Sequence, residues 1–161
     1  MPLLVPMTES EYDEFVSRTV PEYAAEKVAS GEWSPEESLE LAHEAFCELL
    51  PDGLNTKDNH LFTIRETPET AALGVLWYAV QKRAGKHIAY IYEIHINPEH
   101  RRRGYATAAL LALESEVASL GMEGIALHVF GNNHAAQSLY RELGYTPSNI
   151  TMFKPLEGTG S

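Results

Sequence analysis

Hydrophobic and polar positions follow a helical period in the first third of the chain and a strand-like pattern in the middle, and the two alternate in the remainder. Residues 3–5 are apolar and suit a short first strand. Thr8-Glu9-Ser10-Glu11 has the form of a capping box, so a helix is expected to start there. Tyr12, Phe15, Val16 and Thr19 continue it at helical spacing. Pro21 lacks an N–H and crowds the preceding turn, which predicts a break near Val20 and a second helical piece ending at Gly31. Ser34-Pro35-Glu36-Glu37 reads as the next start, with an N-cap, a proline at the first helical position and a glutamate at the third. Leu39, Ala42, Phe46 and Leu49 would form the apolar stripe of that helix, and Pro51-Asp52-Gly53 would close it.

Residues 60–66, 72–80 and 86–96 are rich in β-branched and aromatic side chains and predict three strands, with a hairpin turn at 82–85. A helix is predicted over 104–120, with Leu110, Leu113, Val117 and Leu120 on one face and Gly121 as its stop. Residues 125–130 read as a strand, 135–143 as a short helix ended by Gly144, and 150–154 as a last strand. The order implies a mixed α/β fold: a central mixed sheet of about six strands with flanking helices. The strand at 86–96 and that at 125–130 should run parallel, joined by the 104–120 helix. Residues 1–156 are expected to form a single domain, and 157–161, rich in glycine and serine, a disordered tail.

Charge changes this picture in one respect. The formal net charge is −11, and residues 1–52 hold 13 of the 23 acids against two bases, Arg18 and Lys27. The acidic excess is either a set of solvated helix faces or a wall that attracts a cation. Nucleic acid is not an expected partner of so acidic a chain with one basic cluster. Cys47 is the only cysteine, which rules out an intrachain disulfide and a thiolate metal cluster, and no metal is expected. No apolar run is long enough for a membrane span and no signal peptide is visible, so a cytoplasmic protein is expected.

The stretch Ile94-His95-Ile96-Asn97-Pro98-Glu99-His100-Arg101-Arg102-Arg103-Gly104-Tyr105-Ala106-Thr107 carries the chemistry. A strand ends, a loop of three arginines follows, and a helix begins. Gly104 has no Cβ to keep a ligand from the backbone. The first amides of a helix lack intrahelical partners and sit at its positive end, so with guanidinium groups nearby they suit a pyrophosphate. Asn132-Asn133-His134-Ala135-Ala136-Gln137-Ser138-Leu139-Tyr140-Arg141-Glu142-Leu143-Gly144-Tyr145 follows downstream. From spacing alone its asparagine is an N-cap and Tyr140 a helix-face tyrosine.

Arg101-x-x-Gly104-x-Ala106 resembles the Q/R-x-x-G-x-G/A pyrophosphate motif of the GNAT N-acetyltransferases, and the downstream stretch is similar to that family's second motif. The resemblance covers about residues 60–156. It implies a GNAT acyl-CoA N-acyltransferase fold and transfer of the acetyl group of acetyl-CoA to a primary amine by direct attack. Ile94, His95 and Ile96 would lend main-chain groups to the pantetheine arm. Arg101, Arg102, Arg103, Gly104, Tyr105, Ala106 and Thr107 would hold the pyrophosphate, Asn133 would bond the pantetheine region, and Tyr140 would act as general acid. A homodimer is among the assemblies the family implies. A GNAT-like module that binds CoA without turnover is the alternative function.

An amine must lose a proton before it attacks, and Glu93 is the first choice of base, because a carboxylate inside a covered strand calls for a reason. The alternative is that it faces a polar groove or pairs with an arginine, and a β-bulge would reverse its face. Tyr90, Tyr92, His95 and His128 are the other candidates. The acceptor is expected to be a cationic small molecule or peptide, met by Tyr23, Glu26 and Trp33 in the acidic region through charge and cation–π contact.

Overall fold

The structure is a computed structural model that describes residues 3–157. Its elements in order are β1 (Leu3–Pro6), α1 (Glu9–Ala29), α2 (Ser38–Leu49), β2 (Asn59–Arg65), β3 (Gly74–Arg83), β4 (Lys86–Ile96), α3 (Tyr105–Ser119), β5 (Ile125–Leu127) and α4 (His134–Glu142). The strands form one sheet in the order β1-β2-β3-β4-β5. The first four are antiparallel, and β5 joins β4 in parallel after the α3 crossover.

Both faces of the sheet are covered. On one, Ile64, Leu76, Tyr78 and Ile91 pack with Leu110, Leu113 and Val117 of α3. On the other, Leu61 and Trp77 pack with Phe15, Val20 and Ala24 of α1 and with Ala42 and Phe46 of α2. The capping box forms as expected: Thr8 accepts from the Glu11 amide while Glu11 accepts from the Thr8 amide. Arg65 of β2 also reaches Glu11, which pins the start of α1 to the sheet. The β3–β4 hairpin turns at Ala84 and Gly85, both with positive φ, as a two-residue turn requires.

Five expectations need correction. Pro21 does not break α1, which runs unbroken through it. The buried Phe15, Thr19, Val20 and Ala24 hold both halves against the rest of the fold, and that packing outweighs one lost backbone hydrogen bond. α2 begins a turn later than the Ser-Pro-Glu-Glu motif suggests, because the Ser34 hydroxyl bonds the Glu37 carboxylate instead of capping a helix. Leu39 is accordingly 59% exposed, and Ser38, Ala42 and Phe46 make the buried stripe. Leu120 is 62% exposed at the C-cap of α3, with Ala109 taking its place on the buried face. The sheet has five strands among the described residues, not about six: β5 stops at Leu127, and residues 150–154 form no strand. Strand propensity there meets no partner edge, and an unpaired strand is not stable by itself. Of the expected tail, residues 158–161 lie outside the described residues.

The pairing of β3 with β4 contains one irregularity. Trp77 faces Glu93 while Tyr78 faces Ile91, so Tyr92 is an extra residue on β4. Before this bulge Ala89 and Ile91 point to the α3 face, and after it Ile94 and Ile96 do. Beyond it, β4 has no partner on its outer side, since pairing with β5 covers only Ala89 to Ile91. The far end of β4 is held from the other side at Gly74, where an added Cβ would lie 2.0 Å from the carbonyl oxygen of His95. Gly74→Ala should therefore push β3 from β4 and cost about 1–3 kcal/mol, read as a lower urea midpoint with an unchanged m-value.

Candidate active site

The unpaired outer edge of β4 forms one side of a cavity of about 930 Å³. Opposite it stand residues 127–130, which continue from β5, and the face of α4 that carries Ala136, Leu139 and Tyr140. The face of α1 that carries Thr19, Glu22, Tyr23 and Glu26 forms another wall. Ile94, His95 and Ile96 line the cavity with backbone groups on the edge that β5 leaves open.

At the end of β4 the arginine loop turns into α3. Gly104 is the N-cap of α3, with φ +79°, open space where a Cβ would stand, and no side-chain cap. The first α3 amide bonded within the helix turn is that of Ala108, to Gly104, so the amides of Tyr105, Ala106 and Thr107 lack intrahelical acceptors. No side-chain oxygen competes for them, and all three residues line the cavity. These donors fit a phosphate group. Arg102 has φ +64°, which tightens the loop ahead of the helix. Arg101 and Arg102 line the cavity, and Arg103 does not. The Arg101 Nε donates to the carbonyl of Ile96 at 2.9 Å, so this arginine also ties the loop to the end of β4.

On the α1 wall, spacing of three, four and seven residues brings Thr19, Glu22, Tyr23 and Glu26 together. Glu26 is held above the usual carboxylate range by burial and then by Glu22. Arg18 bonds Glu22 at 2.7 Å. Trp33 is not on the cavity wall; it meets Tyr23 edge-on behind it, with ring centroids 5.6 Å apart. The cation over this ring pair is the chain's own Lys27, 5.7 Å from Tyr23 and 5.6 Å from Trp33, and Lys27 also bonds Glu32. Sequence reasoning did not single out Arg18 or Thr19. Thr19 is buried, its hydroxyl has no hydrogen-bond partner, and it lines the cavity. Its place in the stripe shared with Glu22 and Glu26 was the available signal.

Asn133 caps α4, accepting from the Ala136 amide at 3.2 Å, and it lines the cavity. Tyr140 lies on the same helix, its hydroxyl pushed up by burial and then by the charge of Glu93. His95 is held below its ordinary value by burial and then by Arg18. His128 is exposed. The bulge turns Glu93 away from the α3 face and toward α1, where Arg18, Glu22 and Glu26 all act on it.

Burial is the largest cause that pushes the Glu93 carboxyl up to about 7, with Arg18 opposing and Glu26 and Glu22 adding to the rise. Its folded value exceeds its unfolded one, so its contribution is fully present below about 4.5 and is lost as pH rises through about 7. Glu93→Gln keeps the shape and removes the proton equilibrium. Urea unfolding should show this variant more stable than the parent at pH 8 and equal to it at pH 4.

The model of the acetyltransferase (GNAT) family matches residues 19–145. Over 154 residues the chain is 34% identical to YycN of Bacillus subtilis, named an uncharacterized N-acetyltransferase, covering 96% of this chain and 98% of that protein. It is 33% identical to YdgE of the same organism, an uncharacterized N-acetyltransferase too, covering 93% and 95%. The crystal structure of YycN superposes with a TM-score of 0.92, covering 97% of this chain and 99% of that one. Sequence model, full-length relatives and superposed fold agree with the glycine-capped helix and the open strand edge: the chain belongs to the GNAT acetyltransferase family.

Proposed function

We propose that this chain moves the acetyl group of acetyl-CoA onto a primary amine, and that the acceptor is cationic. The observation that carries the reading is that Glu93 and Tyr140 line the same cavity as the open β4 edge and the uncapped amides of α3. One wall supplies donors for a phosphate, the strand edge supplies main-chain partners for an extended arm, and two titratable groups flank the region between. Neither a phosphate site nor a strand edge needs a carboxyl that titrates near neutrality; an amine substrate does.

An ammonium entering the cleft gives a proton to Glu93, directly or through a water. The neutral nitrogen then attacks the thioester carbonyl, a C–N bond forms and the C–S bond breaks. The main-chain N–H groups among Ile94 to Ile96 that face away from β3 stabilise the negative oxygen on the way. The departing thiolate takes the hydroxyl proton of Tyr140, which its raised pKa keeps in place until then, and the second proton that the nitrogen loses on becoming an amide restores the tyrosine. Arg101 orients the loop through the Ile96 carbonyl, and Asn133 holds the start of α4.

A cationic acceptor is supported by charge bookkeeping in the cleft. Glu22, Glu26 and Glu93 line it, while Arg18 is paired with Glu22 and Lys27 with Glu32. On the α1 side of the cleft these carboxylates exceed the cations, since Glu22 offsets Arg18 and Glu32 offsets Lys27, while Arg101 and Arg102 line the loop end. Glu26 and Tyr23 serve the acceptor in this reading; Trp33 braces Tyr23 and Lys27 from behind.

Thiol release from acetyl-CoA with a panel of amines tests the activity. Tyr140→Phe should lower kcat by roughly a hundredfold or more while leaving the acetyl-CoA-induced rise in Tm intact. Glu93→Gln should lower kcat/KM comparably and abolish its rise with pH through about 7. A Tm rise with no thiol release from any amine would instead mark a CoA-binding module.

The acceptor is tested separately, at saturating acetyl-CoA. Its kcat/KM should fall several-fold as salt rises from about 0.01 M to about 0.5 M, because screening shortens the reach of the cleft carboxylates. A flat response, or a neutral best acceptor, would remove those carboxylates from recognition.

A further inference from the structure

β4 runs through the cavity from Tyr90 and Tyr92 toward the arginine loop beyond Ile96, and the end away from that loop is built of aromatic rings. Tyr90 and Tyr92 meet edge-on with centroids 4.9 Å apart, and Tyr92 stacks on Trp77 of β3 at 4.6 Å. Trp77 meets Phe46 of α2 at 5.6 Å, and Phe46 meets Tyr23 of α1 at 6.0 Å. The Tyr90 phenol is pushed up by burial, by Tyr92 and by Tyr23, so the first and last rings lie within electrostatic reach of each other across the cleft. All of these rings line the cavity, as does Leu49. Phe46 and Trp77 are buried and make a floor, while the three tyrosines are half-buried and make a rim.

The polar handles of this basin are already engaged. The Trp77 indole N–H donates to Asn59 at 2.9 Å, and the Tyr92 hydroxyl accepts from Gln81 at 3.1 Å. The Lys27 ammonium lies 5.7 Å from the Tyr23 centroid and lines the cavity too, so a ligand ammonium there would find the ring already occupied by a cation. A hydroxyl-rich ligand would meet ring faces in place of hydrogen-bond partners. What the basin offers is flat π surface, which favours offset or edge-on contact with another ring. Carboxylates stand beside it. Glu93 is opposite Trp77 in the strand pairing, which puts their Cβ atoms about 5 Å apart. Glu22 and Glu26 flank Tyr23 on α1.

We infer that the acceptor is an arylalkylamine: a flat aromatic ring fills the basin of Tyr23, Phe46, Trp77, Tyr90 and Tyr92, and a short alkyl link carries its single ammonium to Glu93. The inference rests on the amine transfer proposed above for the fate of the ammonium, whereas the fit of the ring rests on the basin alone. It narrows a cationic acceptor to one with an apolar body and one charge. Diamines and sugar amines satisfy the carboxylates and leave the rings uncovered.

Binding and turnover are measured separately on the full chain. Calorimetry on CoA-saturated protein gives Kd, and thiol release at saturating acetyl-CoA gives kcat/KM. The probes are phenethylamine, butylamine and diaminobutane. Phenethylamine should bind and react at least about tenfold better than either of the others. Tyr90→Ala and Tyr23→Leu, each compared with the parent by circular dichroism, should cut the ratio of kcat/KM for phenethylamine to that for butylamine by at least about fivefold. General damage to the fold would lower both amines alike and leave that ratio where it was. If no amine releases thiol and phenethylamine still binds with this preference, the transfer fails and the aryl site stands. Equal values for the three amines, a preference for diaminobutane, or a ratio that neither substitution moves overturns the aryl site and leaves the transfer in place. So does acetylation of peptides by a chain that ignores phenethylamine.

Discussion

One surplus residue, Tyr92, sets the terms for the rest of the molecule. A regular β4 would pair with β3 on one side and β5 on the other along its whole length, and the sheet would have no opening. The bulge opposite Trp77 and Tyr78 bends the strand, so β5 can follow it only as far as Ile91. What opens beyond is a cleft bordered by main-chain donors and acceptors. The same extra residue reverses the alternation of side chains. Glu93, which strict alternation would press under α3 with Ala89 and Ile91, is turned toward α1 and its charges.

This opening is supported from behind. Trp77 beside the bulge is buried and stacks on Tyr92 with centroids 4.6 Å apart, and Phe15 and Phe46 meet Trp77 from the helices. The Trp77 indole N–H also finds an acceptor in Asn59. Aromatic packing of this kind fixes where an irregular strand sits. Buried residues are concentrated on β2 to β4 and on α1 to α3, while β5 and α4 hold none.

How legible this was in the sequence depended on how local each feature is. The capping box at Thr8, the hairpin at Ala84-Gly85 and the glycine-led start of α3 are decided by neighbouring residues, and all were readable. The arginine loop and Asn133 were readable for the same reason. Pro21 misled because its local penalty is overruled by packing of residues on both sides of it. Ser34 misled because its hydroxyl had another acceptor within reach, Glu37. Residues 150–154 read as a strand because propensity is local and a pairing edge is not. Arg18, Thr19 and the placement of Lys27 over Tyr23 and Trp33 depend on how α1 lies across the sheet, which periodicity does not specify. Even the direction in which Glu93 points required knowing that Tyr92 has no opposite number on β3.

α1 serves two masters, and only Tyr23 is shared between the residues that serve each. Phe15, Val20 and Ala24 fasten it to the sheet, while Glu22, Tyr23 and Glu26 look into the cleft. Neither glutamate contributes to the apolar contacts that hold the helix down. The two glutamates can therefore be rewritten over generations while the anchoring set stays as it is; Tyr23, which also meets Phe46, belongs to both sets, and Glu93 on β4 feels the change only through charge. In such a scaffold a new preference for the incoming molecule is a matter of a few codons on one helix, with the inherited machinery left in place behind it.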